Sequence, residues 1–185
     1  EMDTGMRAAR HWFGGRTARF TATFALLAAA LTIGTADAAT PNEGTVTDTS
    51  TSVSWSGGPF VAPNATGNAL DQPDCSLPQS CDDYTLHVST PAGYGTTHTL
   101  DIKVAWTNTA ADFDVYVLDQ AGNVVGTAAS SADPEQVVLP PNSGDYTVRV
   151  VPYAPVGESY NATATLASTP ANPPPARRGH RPESV

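Results

Sequence analysis

The 185 residues carry 9 basic and 18 acidic side chains, a formal net charge of −9, and only 15% of positions are charged. That length suits one ordinary domain with tails, and the acidic balance argues against nucleic acid and anionic lipid as partners, because both select basic patches. The charge is also segregated: Arg7, Arg10, Arg16 and Arg19 open the chain, Arg177, Arg178 and Arg181 close it, and residues 40–168 hold fourteen acids against Lys103 and Arg149, a net of −12.

The first segment has the layout of a secretory leader. Basic residues from Met6 to Arg19 precede an apolar run of 14, Phe20 to Ile33, and Ala36 and Ala38 then form the A-x-A pattern that signal peptidase accepts. Met6 is a better start than anything before it. The run is shorter than the roughly 20 residues that span a bilayer. No cysteine follows the cleavage position, which excludes a lipoprotein, and Arg16 and Arg19 are not adjacent, so twin-arginine export has no support. The expectation is a signal peptide over 1–38, cleavage between Ala38 and Ala39, and a secreted product with no membrane association after cleavage.

Two cysteines follow, Cys75 and Cys81, in DQPDCSLPQSCDD. Zinc would need further ligands close by, and only His87 stands near, inside a strand pattern. In an oxidising compartment a local structural disulfide is the better reading.

From Ala39 onward the apolar period is two, not that of a helix. Val46 to Trp55 and Tyr84 to Val88 read as weaker strands rich in Thr and Ser. Leu100, Ile102, Val104 and Trp106 point one way and Asp101, Lys103 and Ala105 the other. Phe113, Val115 and Val117 alternate with Asp114, Tyr116 and Leu118. Short strands fit 123–127 and 135–139, and Tyr146 to Val150 and Tyr160 to Leu166 complete the set. Turns fall at Pro91 to Gly95, at Asp119 to Asn123, where Gly122 is free to take positive φ, and at Pro140 to Gly144. About eight antiparallel strands over 39–168 imply an all-β, two-sheet sandwich, with Trp55, Trp106, Phe113 and Tyr146 in its core. Residues 169–185, rich in proline, read as an extended linker or tail.

The order of these elements resembles the bacterial pre-peptidase C-terminal domain, a small β-sandwich found beside secreted hydrolases. The matching pieces are Asp82 to Val88, Asp112 to Asp119, Gly122 to Val125, Pro134 to Val137 and Gly144 to Val150, with Tyr160 to Leu166 as the closing strand. Trp55 to Phe60 and the Cys75/Cys81 loop look more like a variant at the N-terminus of actinobacterial secreted proteins that continue into a sialidase-like propeller. The resemblance spans roughly Trp55 to Leu166. It implies an accessory module without chemistry of its own, partnered by a C-terminal catalytic domain.

Three chemistries compete with that reading. Asp112 and Asp114, two apart on a strand, share a face and suit a hard cation such as Ca2+, with Asp82, Asp83 and Asp119 as further oxygen donors if strand ends converge. The plainer alternative has Asp114 facing solvent or pairing with Lys103 or Arg149. The same two acids would serve a glycosidase only across a sugar-sized cleft, which a small sandwich rarely supplies. Phe60, Tyr94 and Tyr153 lie beside Gly and Pro, where exposed rings stack on sugars; polysaccharide is therefore the alternative partner, for a stand-alone binding protein. No H-E-x-x-H, G-x-S-x-G or glycine-rich phosphate loop occurs, and His11, His87, His98 and His180 form no motif. The chain is expected not to be an enzyme.

Overall fold

Alternation places the strands. The computed structural model describes residues 38–67, 72–76 and 80–169. The expected signal segment before Ala38 and the proline-rich tail beyond Thr169 lie outside them. Nine strands are present among the described residues: β1 Glu43–Thr47, β2 Ser52–Gly57, β3 Asp82–Ser89, β4 His98–Ala105, β5 Asp112–Leu118, β6 Val124–Ala128, β7 Glu135–Leu139, β8 Gly144–Ala154 and β9 Tyr160–Ser168. They form a sandwich of two sheets, ordered β1-β3-β8-β5-β6 and β2-β9-β4-β7. Every connection except the β5–β6 hairpin carries the chain to the opposite sheet.

Two expectations need correction. Val46 to Trp55 is not one strand but two, in different sheets. The break is made by Thr47, whose Oγ1 accepts the amide of Ser50 at 2.8 Å while its own amide reaches the Ser50 carbonyl. Such hydroxyl-to-backbone bonds offer the chain a turn in place of a ladder. Nor is the sandwich wholly antiparallel, because β1 runs parallel to β3 from Glu43 opposite Thr85 to Thr47 opposite Ser89.

Between the sheets the inward residues close a single core. On β4, Leu100, Ile102 and Val104 are fully buried, and Trp106 follows on the same face. Trp55 stacks on Tyr84 with ring centroids 3.8 Å apart. Phe113 sits at the centre of a second aromatic group, 5.3 Å from Trp106 and 5.9 Å from both Phe60 and Tyr160. Tyr146 is only half-buried, and its hydroxyl donates to the Asn142 carbonyl.

Strand β5 is buried on both faces, against the expected alternation. Its outer residues Tyr116 and Leu118 join Val151 in a small second cluster, with Cys81 packed against it. The segment after β2 covers that side, tied down by the Asn64 amide donating to the Pro152 carbonyl at 2.8 Å. The Asn64 side chain then spans the disulfide loop, donating to the carbonyls of Asp74 and Ser80, each at 3.0 Å. Cys75 and Cys81 are bonded, with Cα atoms 5.4 Å apart. Changing both to serine is expected to lower stability by about 2 kcal/mol, the chain-entropy value for so short a loop. Chemical denaturation would show it as an earlier midpoint.

Candidate functional site

The outer face of β5 carries the site. Between Asp112 and Asp114 the pairing with β8 slips, from Ala154 opposite Asp112 to Val151 opposite Asp114. A bulge of this kind re-aims side chains. Both carboxylates then line one open depression of about 270 Å³ with Gly67, Ala129, Ser130, Ser131 and Tyr153. That volume falls just below the roughly 300–1,000 Å³ of small-molecule pockets.

Asp114 is 4% exposed, and no hydrogen bond to its carboxylate is found among the described residues. Burial first, then the charges of Asp112 and Glu135, push its pKa up to about 7. Burial also raises Asp112, whose Oδ1 is buried without a partner. Glu135 is buried as well but satisfied, its Oε1 accepting the Ser130 amide at 2.7 Å and hydroxyl at 2.6 Å. The basic residues that would relieve Asp114 are engaged elsewhere: Lys103 lies 3.7 Å from Asp101, and Arg149 makes a two-pronged pair with Asp83. Asp114 therefore neither faces solvent nor pairs with a base. The depression offers oxygen donors and crowded negative charge, a chemistry suited to a shared proton or a hard cation.

The five acids considered as calcium ligands do not converge. Asp112 and Asp114 are together. Asp82 is buried elsewhere, accepting from the Ala39 amide and the Tyr160 hydroxyl. Asp83 is half-exposed against Arg149. Asp119 closes its own hairpin: its carboxylate accepts the Asn123 side-chain amide at 3.0 Å and, through Oδ1, the backbone amides of Asn123 and Ala121 at 2.8 and 2.9 Å, and these bonds, the Asn123 side chain first, hold its carboxyl below the usual range. Among the described residues, no three His, Cys, Asp or Glu side chains are grouped to hold a metal. Strand alternation sends Asp82 and Asp83 to opposite faces, and the hairpin carries Asp119 to the far end of β5.

The three aromatic candidates separate in the same way. Phe60 is 3% exposed and belongs to the core, so it offers no ring to a ligand. Tyr94 stacks on His98 at 3.9 Å beside a second depression formed by 90–95 and 141–143. Tyr153 is 39% exposed and stands at the Asp112/Asp114 depression. His87 hydrogen-bonds Asp145 at 2.7 Å and lies 3.7 Å from Glu43. The buried roles of Glu135 and Asn64 leave no signal in the sequence. Asn64 sits in an N-A-T sequon, yet at 1% exposure its amide is committed to the loop.

No family model and no curated protein matches this chain. Among solved structures it is similar to the pre-peptidase C-terminal domain of a collagenase from Bacillus anthracis, at 12% identity and a TM-score of 0.38, over 68% of this chain and 92% of that one. No residue role passes from that structure to this one.

Proposed function

We propose that the chain is a secreted, non-catalytic accessory sandwich, serving as spacer, stabiliser or substrate-proximity module of a larger extracellular hydrolase-like protein. Its place would be that of the N-terminal variant in actinobacterial sialidase-like proteins. The supporting observation is where the chain enters and leaves the domain. Thr40 bridges Ser56, which is paired with Asn161 near the start of β9. Thr169 leaves past Ser168 at its other end, bonded to the Thr97 carbonyl at 2.8 Å. A strand from Asn161 to Ser168 spans about 23 Å, so the two ends lie at opposite poles. A further domain following Thr169 would emerge at the pole opposite Thr40, set off from that end by the length of the sandwich.

Reading the encoding frame beyond Val185 tests the proposal. An open frame into a second domain is expected; a stop codon directly after Val185 would overturn the accessory reading.

A stand-alone glycan-binding protein is the second reading, and Tyr153 favours it. An exposed ring beside carboxylates and serine hydroxyls matches the pairing of stacking and hydrogen bonds that sugars use. On that reading, migration through a retarding neutral polysaccharide gel is slowed for the native chain and normal for Tyr153→Ala. Retardation should depend little on salt, and acidic polymers would be repelled unless Ca2+ bridges them. If the cation takes part, millimolar Ca2+ raises the melting temperature and Mg2+ does not; no shift with Ca2+ removes it.

A further inference from the structure

Ala39 is at once the residue that the A-x-A pattern makes the mature amino terminus and the residue whose backbone nitrogen lies 2.7 Å from a buried carboxylate oxygen of Asp82. We propose that leader cleavage after Ala38 creates an α-ammonium group that docks on Asp82 as a buried ion pair, so that processing itself completes the domain. The inference rests on the secretion reading above.

The surroundings show a place built for a cation. Ala39 and Asp82 are each 3% exposed, and Tyr160, which donates its hydroxyl to the second Asp82 oxygen at 2.6 Å, is fully buried. Gly57 completes the wall; any Cβ there would collide with the Asp82 carboxylate and the Tyr160 ring. In the uncut chain the carboxylate has two neutral donors and no counter-charge. Lys103 and Arg149, the basic residues of 40–168, are paired with Asp101 and Asp83. An isolated buried carboxylate is costly, and burial accordingly raises the Asp82 pKa.

Cleavage supplies the missing charge. A signal peptidase hydrolyses the Ala38–Ala39 amide with one water: hydroxyl goes to the Ala38 carbonyl carbon and a proton to the Ala39 nitrogen. The free amine, with an ordinary pKa of about 7.7–8.0, takes a further proton from solvent at neutral pH. One neutral N–H donor thereby becomes a positive group with three donors, at the same position, facing a carboxylate already oriented by Tyr160. Charge-assisted bonds of this kind are about twice as strong as neutral ones. Ala38 is exposed, so the product end of the leader departs into solvent.

The test uses chains of residues 39–185 released so that Ala39 is the first residue, and the same chains carrying a Gly-Ser extension, each with Asp82 or Asp82→Asn. The extension is expected to lower the melting temperature by about 5 °C or more with Asp82 and to change it little with Asp82→Asn. Labelling of the α-amine by an aldehyde and borohydride gives an independent readout. In the native chain the amine should react at least about tenfold more slowly than in urea, with exposed Lys103 as internal control. Equal melting temperatures with and without the extension, or an amine that labels at its unfolded rate, would overturn the ion pair. Intact mass of the chain exported with its leader distinguishes the other failure: a terminus elsewhere than Ala39 removes the cleavage reading and the inference with it.

Discussion

Replacing Asp114 with asparagine is expected to raise the melting temperature at pH 8 and, because the unpartnered amide costs the same at any pH while the relief of charge is absent in acid, to lower it modestly at pH 4. The folded-state pKa of Asp114 is pushed up to about 7 by burial, Asp112 and Glu135, from 3.8. A carboxyl raised in this way is neutral in both states below its unfolded pKa. As pH rises from about 4 to 7 the unfolded chain ionises freely while the folded chain resists, and stability falls. Above 7 the loss is complete. Some three units at about 1.4 kcal/mol each set a ceiling near 4 kcal/mol. The buried amide of asparagine also needs partners, which reduces the gain. A gain of about 2 kcal/mol, or about 5–10 °C, remains. Calorimetry in a chelator across this pH range would show it, and an unaltered or lower melting temperature at pH 8 would contradict the charge crowding described for β5.

Loss of Phe113 carries the other large effect. Its ring is fully buried at the meeting point of Phe60, Trp106 and Tyr160, which come from three separate parts of the chain. Truncating a buried phenylalanine to alanine costs about 3–5 kcal/mol through lost transfer energy and the cavity left behind. Domain stabilities are about 5–15 kcal/mol in total. Phe113→Ala is therefore expected to lose cooperative unfolding or to melt more than about 10 °C lower, while Phe113→Leu, which refills much of the space, costs about 1–2 kcal/mol. Tyr94→Ala makes the contrast, at under about 1 kcal/mol, because its stacking partner His98 is itself half-exposed. Equal losses at 113 and 94 would mean that the aromatic centre is not where the structure puts it.

Much of the framework was legible in residue order. The pattern over Glu135–Leu139 matches the observed strand at both bounds, and period two puts Leu100, Ile102, Val104 and Trp106 on the face that is buried. The Asp119–Asn123 hairpin and positive φ at Gly122 also stand, with φ at 82°. Phe60 is buried where its context suggests exposure, because Gly and Pro beside a ring mark a loop without saying whether that loop lies over the core. The carboxylate set failed for a related reason: strand alternation gives the face of Asp82, Asp83, Asp112, Asp114 and Asp119 but not which strand ends are neighbours. Glu135 left no signal at all, since a strand-opening glutamate is ordinarily solvated.

What the chain order alone determined is therefore local: the strands, their inward faces, the turns and the Cys75/Cys81 link, each set by neighbours a few residues apart. Tertiary structure alone decided that β1 runs parallel to β3, that successive strands other than β5 and β6 alternate between sheets, and that β5 bulges between two acids under a covering loop. It also decided that Ala39 lies against Asp82, 43 residues away in sequence. Period-two patterning encodes which side of a strand meets the core. Partner, register and cover depend on contacts between distant segments, which no local pattern specifies.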